Sequence, residues 1–205
     1  VSAASSGSSG PAPLTAEIRF WWPDRQTGIL SAWLDEQGIT LSEACQRTDL
    51  YIPTGSMAVN LKKRDGEQLE LKALVRQLPL AHAFAGQHQC EIWVKHRLTA
   101  QPILANREVR ISKTRWLACL DDRGVMVTDQ HLSTGCQVEL SEVRPEGGQR
   151  TWTSFCLEVF GDGDSLPELM QNVTGKLGDM PCAHERPLVA SYAEWLFRED
   201  YFDRE

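Results

Sequence analysis

From residue 16 onward, apolar and polar positions alternate in short runs broken by turn residues. That is the period of strands that bury one face. The alternation predicts strands over 17–22, 49–52, 58–64, 68–75, 89–98, 108–117, 137–143 and 152–160. Eight antiparallel strands suffice to close a small barrel with room inside for side chains or one ligand. Turn chemistry agrees, since Asp65-Gly66, Asp122-Arg123-Gly124 and Pro145-Glu146-Gly147-Gly148 each interrupt or follow a strand-like run. Three stretches change to a helical period. The first, 24–37, carries Ile29, Leu30, Trp33 and Leu34 and has Gly38 placed to end it. The second, 164–177, opens on Asp164 as a cap and on Pro167. The third, 188–201, bears an aromatic stripe of Tyr192, Trp195, Leu196 and Phe197. The stripe reads as packing surface, or as a contact for a partner or a second copy. The expected fold is mainly β (α+β): an eight-stranded antiparallel β-barrel, or tunnel, with three flanking amphipathic helices. Residues 1–14 read as a flexible leader and 15–205 as the barrel domain.

Sorting the strands by face separates two chemistries, because residues two apart point the same way. Glu17, Arg19 and Trp21 oppose Ile18, Phe20 and Trp22, and Lys62 and Arg64 oppose Val59 and Leu61. Glu70 and Lys72 oppose Leu69 and Leu71; Glu91, Trp93, Lys95 and Arg97 oppose Cys90, Ile92 and Val94. Lys113 and Arg115 share a face, while Glu139 and Glu158 each stand against apolar neighbours. The polar faces thus collect eight cations (Arg19, Lys62, Arg64, Lys72, Lys95, Arg97, Lys113, Arg115) and five carboxylates (Glu17, Glu70, Glu91, Glu139, Glu158), an excess of three positive charges. Two readings are open. These faces are the solvated side of an ordinary sheet. Alternatively, the helices cover the apolar faces, and the charged ones line a lumen that needs a polyanion or ordered water to settle its repulsion. Trp21 and Trp93 on the same faces either fill space or stack on a ligand ring.

Composition narrows the partners. The 205 residues hold 21 Lys+Arg against 28 Asp+Glu, a formal net charge of −7. An acidic exterior disfavours nucleic acid as a partner, and no apolar run approaches the ~20 residues of a membrane-spanning helix. The six cysteines are spread singly with no C-x-x-C pair, which argues against zinc and reads as reduced thiols in a cytoplasmic protein. The five histidines show no metal-ligating spacing, and Gly161-Asp162-Gly163-Asp164 reads as a turn into a helix.

At the charged strands the chain resembles the CYTH superfamily, the triphosphate tunnel metalloenzymes. The elements run in order: Glu17-Ile-Arg19; Arg47-Thr-Asp49-Leu-Tyr51; Asn60-Leu-Lys62-Lys-Arg64; Leu69-Glu70-Leu-Lys72; Ile111-Ser-Lys113-Thr-Arg115; Gln137-Val-Glu139; and Cys156-Leu-Glu158. The resemblance implies a barrel whose basic residues hold a small polyanion such as a triphosphate. It also implies that Glu17, Glu139 and Glu158 hold Mg²⁺ or Mn²⁺, with Glu17 and Glu158 as the catalytic carboxylates of a triphosphate hydrolase. The family opens with E-x-E-x-K, whereas this chain has Glu17-x-Arg19-x-Trp21. A guanidinium ~4 Å from a divalent cation opposes it by several kcal/mol where solvent is scarce. The expectation is therefore a barrel that binds a phosphate-rich or other polyanionic small molecule with weakened or lost catalysis. The alternatives are a Mg/Mn-dependent triphosphatase, or a structural protein whose lumen is neutralised by its own ion pairs.

Overall fold

A computed structural model describes residues 12–64, 68–84, 86–98, 108–128, 132–181 and 186–201. Most of the expected leader, the Asp65-Gly66 turn, His131, Cys182 and His184 lie outside the described residues. The strands are β1 (Leu14–Trp22), β2 (Cys45–Ile52), β3 (Val59–Arg64), β4 (Gln68–Ala83), β5 (Gly86–Leu98), β6 (Val109–Leu120), β7 (Met126–Val127), β8 (Gly135–Pro145), β9 (Trp152–Phe160) and β10 (Leu188–Val189). The helices are α1 (Thr27–Glu36), α2 (Leu166–Leu177) and α3 (Tyr192–Arg198). Eight strands close in the order β1-β5-β4-β3-β2-β6-β8-β9, and β9 returns to β1 over eight paired residues, Thr15↔Phe160 to Trp22↔Thr153. Every pairing is antiparallel. Among the described residues the fold is the expected closed eight-stranded barrel. Among the described residues no helix is long and apolar enough to cross a membrane.

The alternation decides which side of the wall meets which partner. Ile18, Phe20 and Trp22 face outward into one core with Leu30, Trp33 and Leu34 of α1 and Leu166, Leu169, Met170 and Val173 of α2. Two helices therefore flank the barrel on its apolar outside, and the charged faces are left to the lumen. The third helix does not flank. It lies across one end of the barrel, where Tyr192, Trp195 and Leu196 pack on the inward residues Trp21, Tyr51, Ile111, Val143 and Trp152. The expected tunnel is closed at that end.

Several boundaries moved for local reasons. α1 starts at Thr27, three residues after the expected start, because Thr153 Oγ donates to the Asp24 carbonyl at 2.8 Å and accepts from the Gln26 N–H at 2.8 Å. Its end is as expected: Gly38 takes φ +76°, its N–H reaches Asp35 O at 3.0 Å, and Ile39 N–H reaches Leu34 O at 2.9 Å. The residue before α2 is Ser165 rather than Asp164, and Ser165 Oγ donates back to Asp162 O at 2.8 Å. Leu188 and Val189, expected to be helical, pair with Trp21 and Phe20 instead. β1 is paired with β5 only as far as Glu17, so the rest of that edge is open to β10. β4 and β5 run past the barrel as a longer hairpin whose Leu78, Leu80 and Cys90 join the outer core, and His88 lies within β5. Cys90, Cys136 and Cys156 are buried free thiols, Cys119 is half-buried, and Cys45 is exposed.

Candidate functional site: the charged lumen

The lumen holds a cavity of about 220 Å³ lined by eight cations and three carboxylates. Its deep end lies under α3, beside Ser191 and Tyr192. Towards the other mouth, Leu117, Gln137 and Glu158 also border a recess of about 580 Å³ with Thr15 and Phe160. Seven of the eight expected ligand-binding residues line the cavity: Arg19, Lys62, Arg64, Lys72, Lys95, Lys113 and Arg115. Arg97 does not; it is exposed near the end of β5. Arg47 stands in its place, and with Asp49 it is the part of the site that the face-sorting missed. The signal was present in Arg47-x-Asp49-x-Tyr51, but β2 begins at Cys45, four residues before the expected strand start.

The ion pairs fall into two groups, one centred on β1, β8 and β9 and the other on β2 and β3, with β4 and β6 giving residues to both. On the first wall, Arg19 Nε donates to Glu17 Oε1 at 3.0 Å, and its Nη1 donates to Glu139 Oε1 at 3.0 Å and Ser154 Oγ at 2.8 Å. Arg115 Nε reaches Glu139 Oε2 at 2.7 Å. Lys72 Nζ bridges Glu17 Oε2 at 2.9 Å and Glu158 Oε1 at 3.0 Å. Glu17 and Glu158 are direct cross-strand partners, so without Lys72 two like charges would face each other. Three cations balance three carboxylates here.

The second wall does not balance. Asp49, fully buried, receives Lys113 at 2.8 Å, Arg47 at 3.0 Å and Lys62 at 3.4 Å, all through Oδ2. Glu70 receives Arg64 at 3.1 Å, Lys95 at 3.1 Å and Lys62 at 3.4 Å. Five cations meet two carboxylates, an excess of three positive charges drawn from β2, β3, β4, β5 and β6. Two donors of this wall, Arg47 Nε and Arg64 Nε, are buried without an acceptor, and two acceptors, Asp49 Oδ1 and Asn60 Oδ1, are buried without a donor. Aromatic faces take some of the charge: Lys113 Nζ lies 3.8 Å from the Tyr192 ring centre and donates to Tyr51 Oη at 2.7 Å.

Titration follows the same division. Burial alone would raise the Glu17 carboxyl, but Lys72 and Arg19 bring it down to about 2. Glu70, against the opposing push of burial, is brought to about 2 by Lys62, Lys95 and Arg64. On the cationic side burial dominates, pushing Lys62 down to about 8 and Lys113 well below its ordinary value despite Asp49. Glu91, opposite Glu17 in the β1–β5 register, is pushed up to about 7 by burial and by the Glu17 charge.

The expected metal ligands Glu17, Glu139 and Glu158 are each engaged by a cation of the lumen. Among the described residues no three His, Cys, Asp or Glu side chains converge as a metal-binding group. Both oxygens of Glu17 and both of Glu139 are bonded to cations, as is Oε1 of Glu158. A Mg²⁺ or Mn²⁺ would have to displace a guanidinium or an ammonium to reach them, so the residues present do not fit the ion. The two indoles differ in role. Trp21 stacks on Trp195 with ring centres 4.1 Å apart and planes at 7°, which is packing. Trp93 is buried, lines the cavity, and donates from Nε1 to Glu91 Oε2 at 3.2 Å. Of the aromatic stripe, Tyr192, Trp195 and Leu196 are buried in the barrel end and Phe197 is exposed.

No family model and no curated protein matches the chain. Among solved structures, the PH1012 protein from Pyrococcus horikoshii OT3 is similar with a TM-score of 0.44 and 11% identity, covering 88% of this chain and 98% of its own. The protein HpAC1 from Hippeastrum, for which a dominant triphosphatase activity is described, is similar with a TM-score of 0.38 and 12% identity, covering 90% of this chain and 95% of its own.

Proposed function

We propose that the barrel is a CYTH-like binding protein for a small polyanion of the triphosphate class, held in the lumen against the wall built on Asp49 and Glu70. The observation that carries this reading is the surplus of three positive charges on that wall, with buried donors of Arg47 and Arg64 still lacking acceptors. Buried polar groups ordinarily find partners, and a phosphate-rich ligand supplies many acceptor oxygens at once. The cavity of about 220 Å³ lies below the usual ligand-pocket range of ~300–1,000 Å³. It suits a compact anion and excludes a nucleic-acid duplex, which the net charge of −7 also repels at the surface. The buried free thiols fit a reducing, cytoplasmic setting. Catalysis is not part of the reading, because the carboxylates that would hold a metal are engaged in ion pairs.

The test is calorimetric titration with inorganic tripolyphosphate and pyrophosphate, alongside phosphate-release assays. Tripolyphosphate is expected to bind and to raise the thermal midpoint. Arg64→Ala is expected to weaken binding at least about tenfold, since Arg64 is the more exposed cation of the wall and its loss spares the deep pairs. Absence of any response to either anion overturns the proposal and leaves a self-neutralised structural barrel. Metal-dependent phosphate release abolished by Glu158→Gln would replace it with the hydrolase.

A further inference from the structure

The first wall carries a second conclusion, whose anion half rests on the binding function proposed above. We infer that Arg19 is a built-in cation occupying the place among Glu17 and Glu139 that a divalent metal would need, so the lumen neither takes up such a metal nor requires one to hold its anion. Arg19 is buried, and its guanidinium is fixed from four sides. Nε is on Glu17 and Nη1 is shared by Glu139 and Ser154, at 2.8–3.0 Å, and the Tyr192 ring centre lies 4.6 Å from Cζ. A guanidinium stays charged at any pH a folded protein survives and presents its donors in a fixed fork, so this charge does not leave by titration.

Charge balance makes the exclusion quantitative. Glu17, Glu139 and Glu158 carry three negative charges, and Arg19, Lys72 and Arg115 carry three positive ones in direct contact. A hard dication binds where carboxylate charge is left over and oxygen lone pairs are open. Those three carboxylates have no net negative charge left over from their own cations, and an incoming dication would meet Arg19 at close range in a poorly solvated interior. An anion needs no bridging metal either, because the second wall supplies its surplus of three positive charges already.

Two titrations decide the matter, and the first does not depend on anion binding. Wild-type protein is titrated with Mn²⁺ alone, followed by calorimetry and by the paramagnetic quenching of tryptophan emission. No saturable binding is expected up to about 1 mM, while Arg19→Gln, which removes the guanidinium charge, is expected to gain at least about tenfold in Mn²⁺ affinity. Saturable Mn²⁺ binding by the wild type that is lost in Glu139→Gln overturns the inference, as does an Arg19→Gln variant that folds and gains no affinity. In the second titration, tripolyphosphate is added in EDTA and again with Mn²⁺, at matched free-anion concentration. Affinities within about threefold of each other are expected. Binding that is at least about tenfold tighter with the metal overturns the inference. No binding in either condition removes the anion-binding proposal, and the Mn²⁺-alone titration then decides the metal claim by itself.

Discussion

Lys62 and Lys113 share one carboxylate, and their burial makes them cheap to deprotonate when the lumen holds no anion. The free protein holds Lys62 at about 8, against an ordinary 10.5. An anion beside it favours the charged form and raises that value, so above pH 8 binding takes up a proton, and affinity falls as pH rises from 8 towards 10.5. The expected limit is about tenfold per pH unit for each lysine that recharges. Calorimetry of tripolyphosphate between pH 7 and roughly 9.5 measures it. The comparison is with Lys62→Met, because the ligand's own titration is common to both proteins. A variant whose profile is as steep as the wild type removes Lys62 from the linkage. The residue scale is also where sequence reading was strongest and where it slipped. Charge alternation named seven of the eight cations in the cavity, since the side on which a strand residue lies follows from parity alone. It included Arg97 because parity carries no depth, and position 97 lies too near the strand end to be enclosed.

At the scale of elements, α3 is the part whose role changed most. Seven residues are too few for a helix to persist alone, so α3 exists because Tyr192, Trp195 and Leu196 are packed into the barrel end. Trp195→Ala removes the ring stacked on Trp21 and is expected to cost about 3–5 kcal/mol. Urea unfolding followed by far-ultraviolet circular dichroism checks it, and a loss below about 1 kcal/mol would show that the closure is not integral. The stripe was legible as an amphipathic face, but a hydrophobic stripe does not say what it packs on. The residues expected to begin that helix form β10 for a related cause. Leu188 and Val189 have helical neighbours, yet they meet an unpaired edge of β1, and the ladder hydrogen bonds available there override local preference.

The whole molecule separates its charges. An acidic chain encloses a wall of surplus positive charge, and each buried carboxylate of the two networks is held in its charged form by cations. Glu17 and Glu70 lie at about 2, and Asp49 and Glu139 are also lowered. A depressed carboxylate contributes stability that is present above its unfolded value near ~4 and is lost as pH falls towards the folded one. The unfolding free energy is therefore expected to fall steeply between pH ~4.5 and ~2, by several kcal/mol in total, and denaturant midpoints with it. A flat midpoint across that window would mean that the pairs add nothing net over the unfolded chain. Glu91 works the other way: its raised value favours the neutral acid in the fold, so it gives back a little stability between about pH 7 and its ordinary 4.5.

The sequence by itself determined the eight strands that form the barrel wall, the apolar faces that receive α1 and α2, and the cationic character of the opposite faces. All of these follow from local period, which is written into consecutive residues. Only the tertiary structure decided that the tunnel is closed at one end and that Arg47 replaces Arg97. It also decided that the ionisable residues divide into one balanced wall and one with a surplus. The reason is physical: an ion pair is set by which strands are neighbours and in what register they pair, and that registry is a property of the closed barrel rather than of any strand in it. Glu17, Glu139 and Glu158 look like metal ligands when read along the chain. They are ion-pair partners of Arg19, Lys72 and Arg115 once the barrel brings those six side chains together.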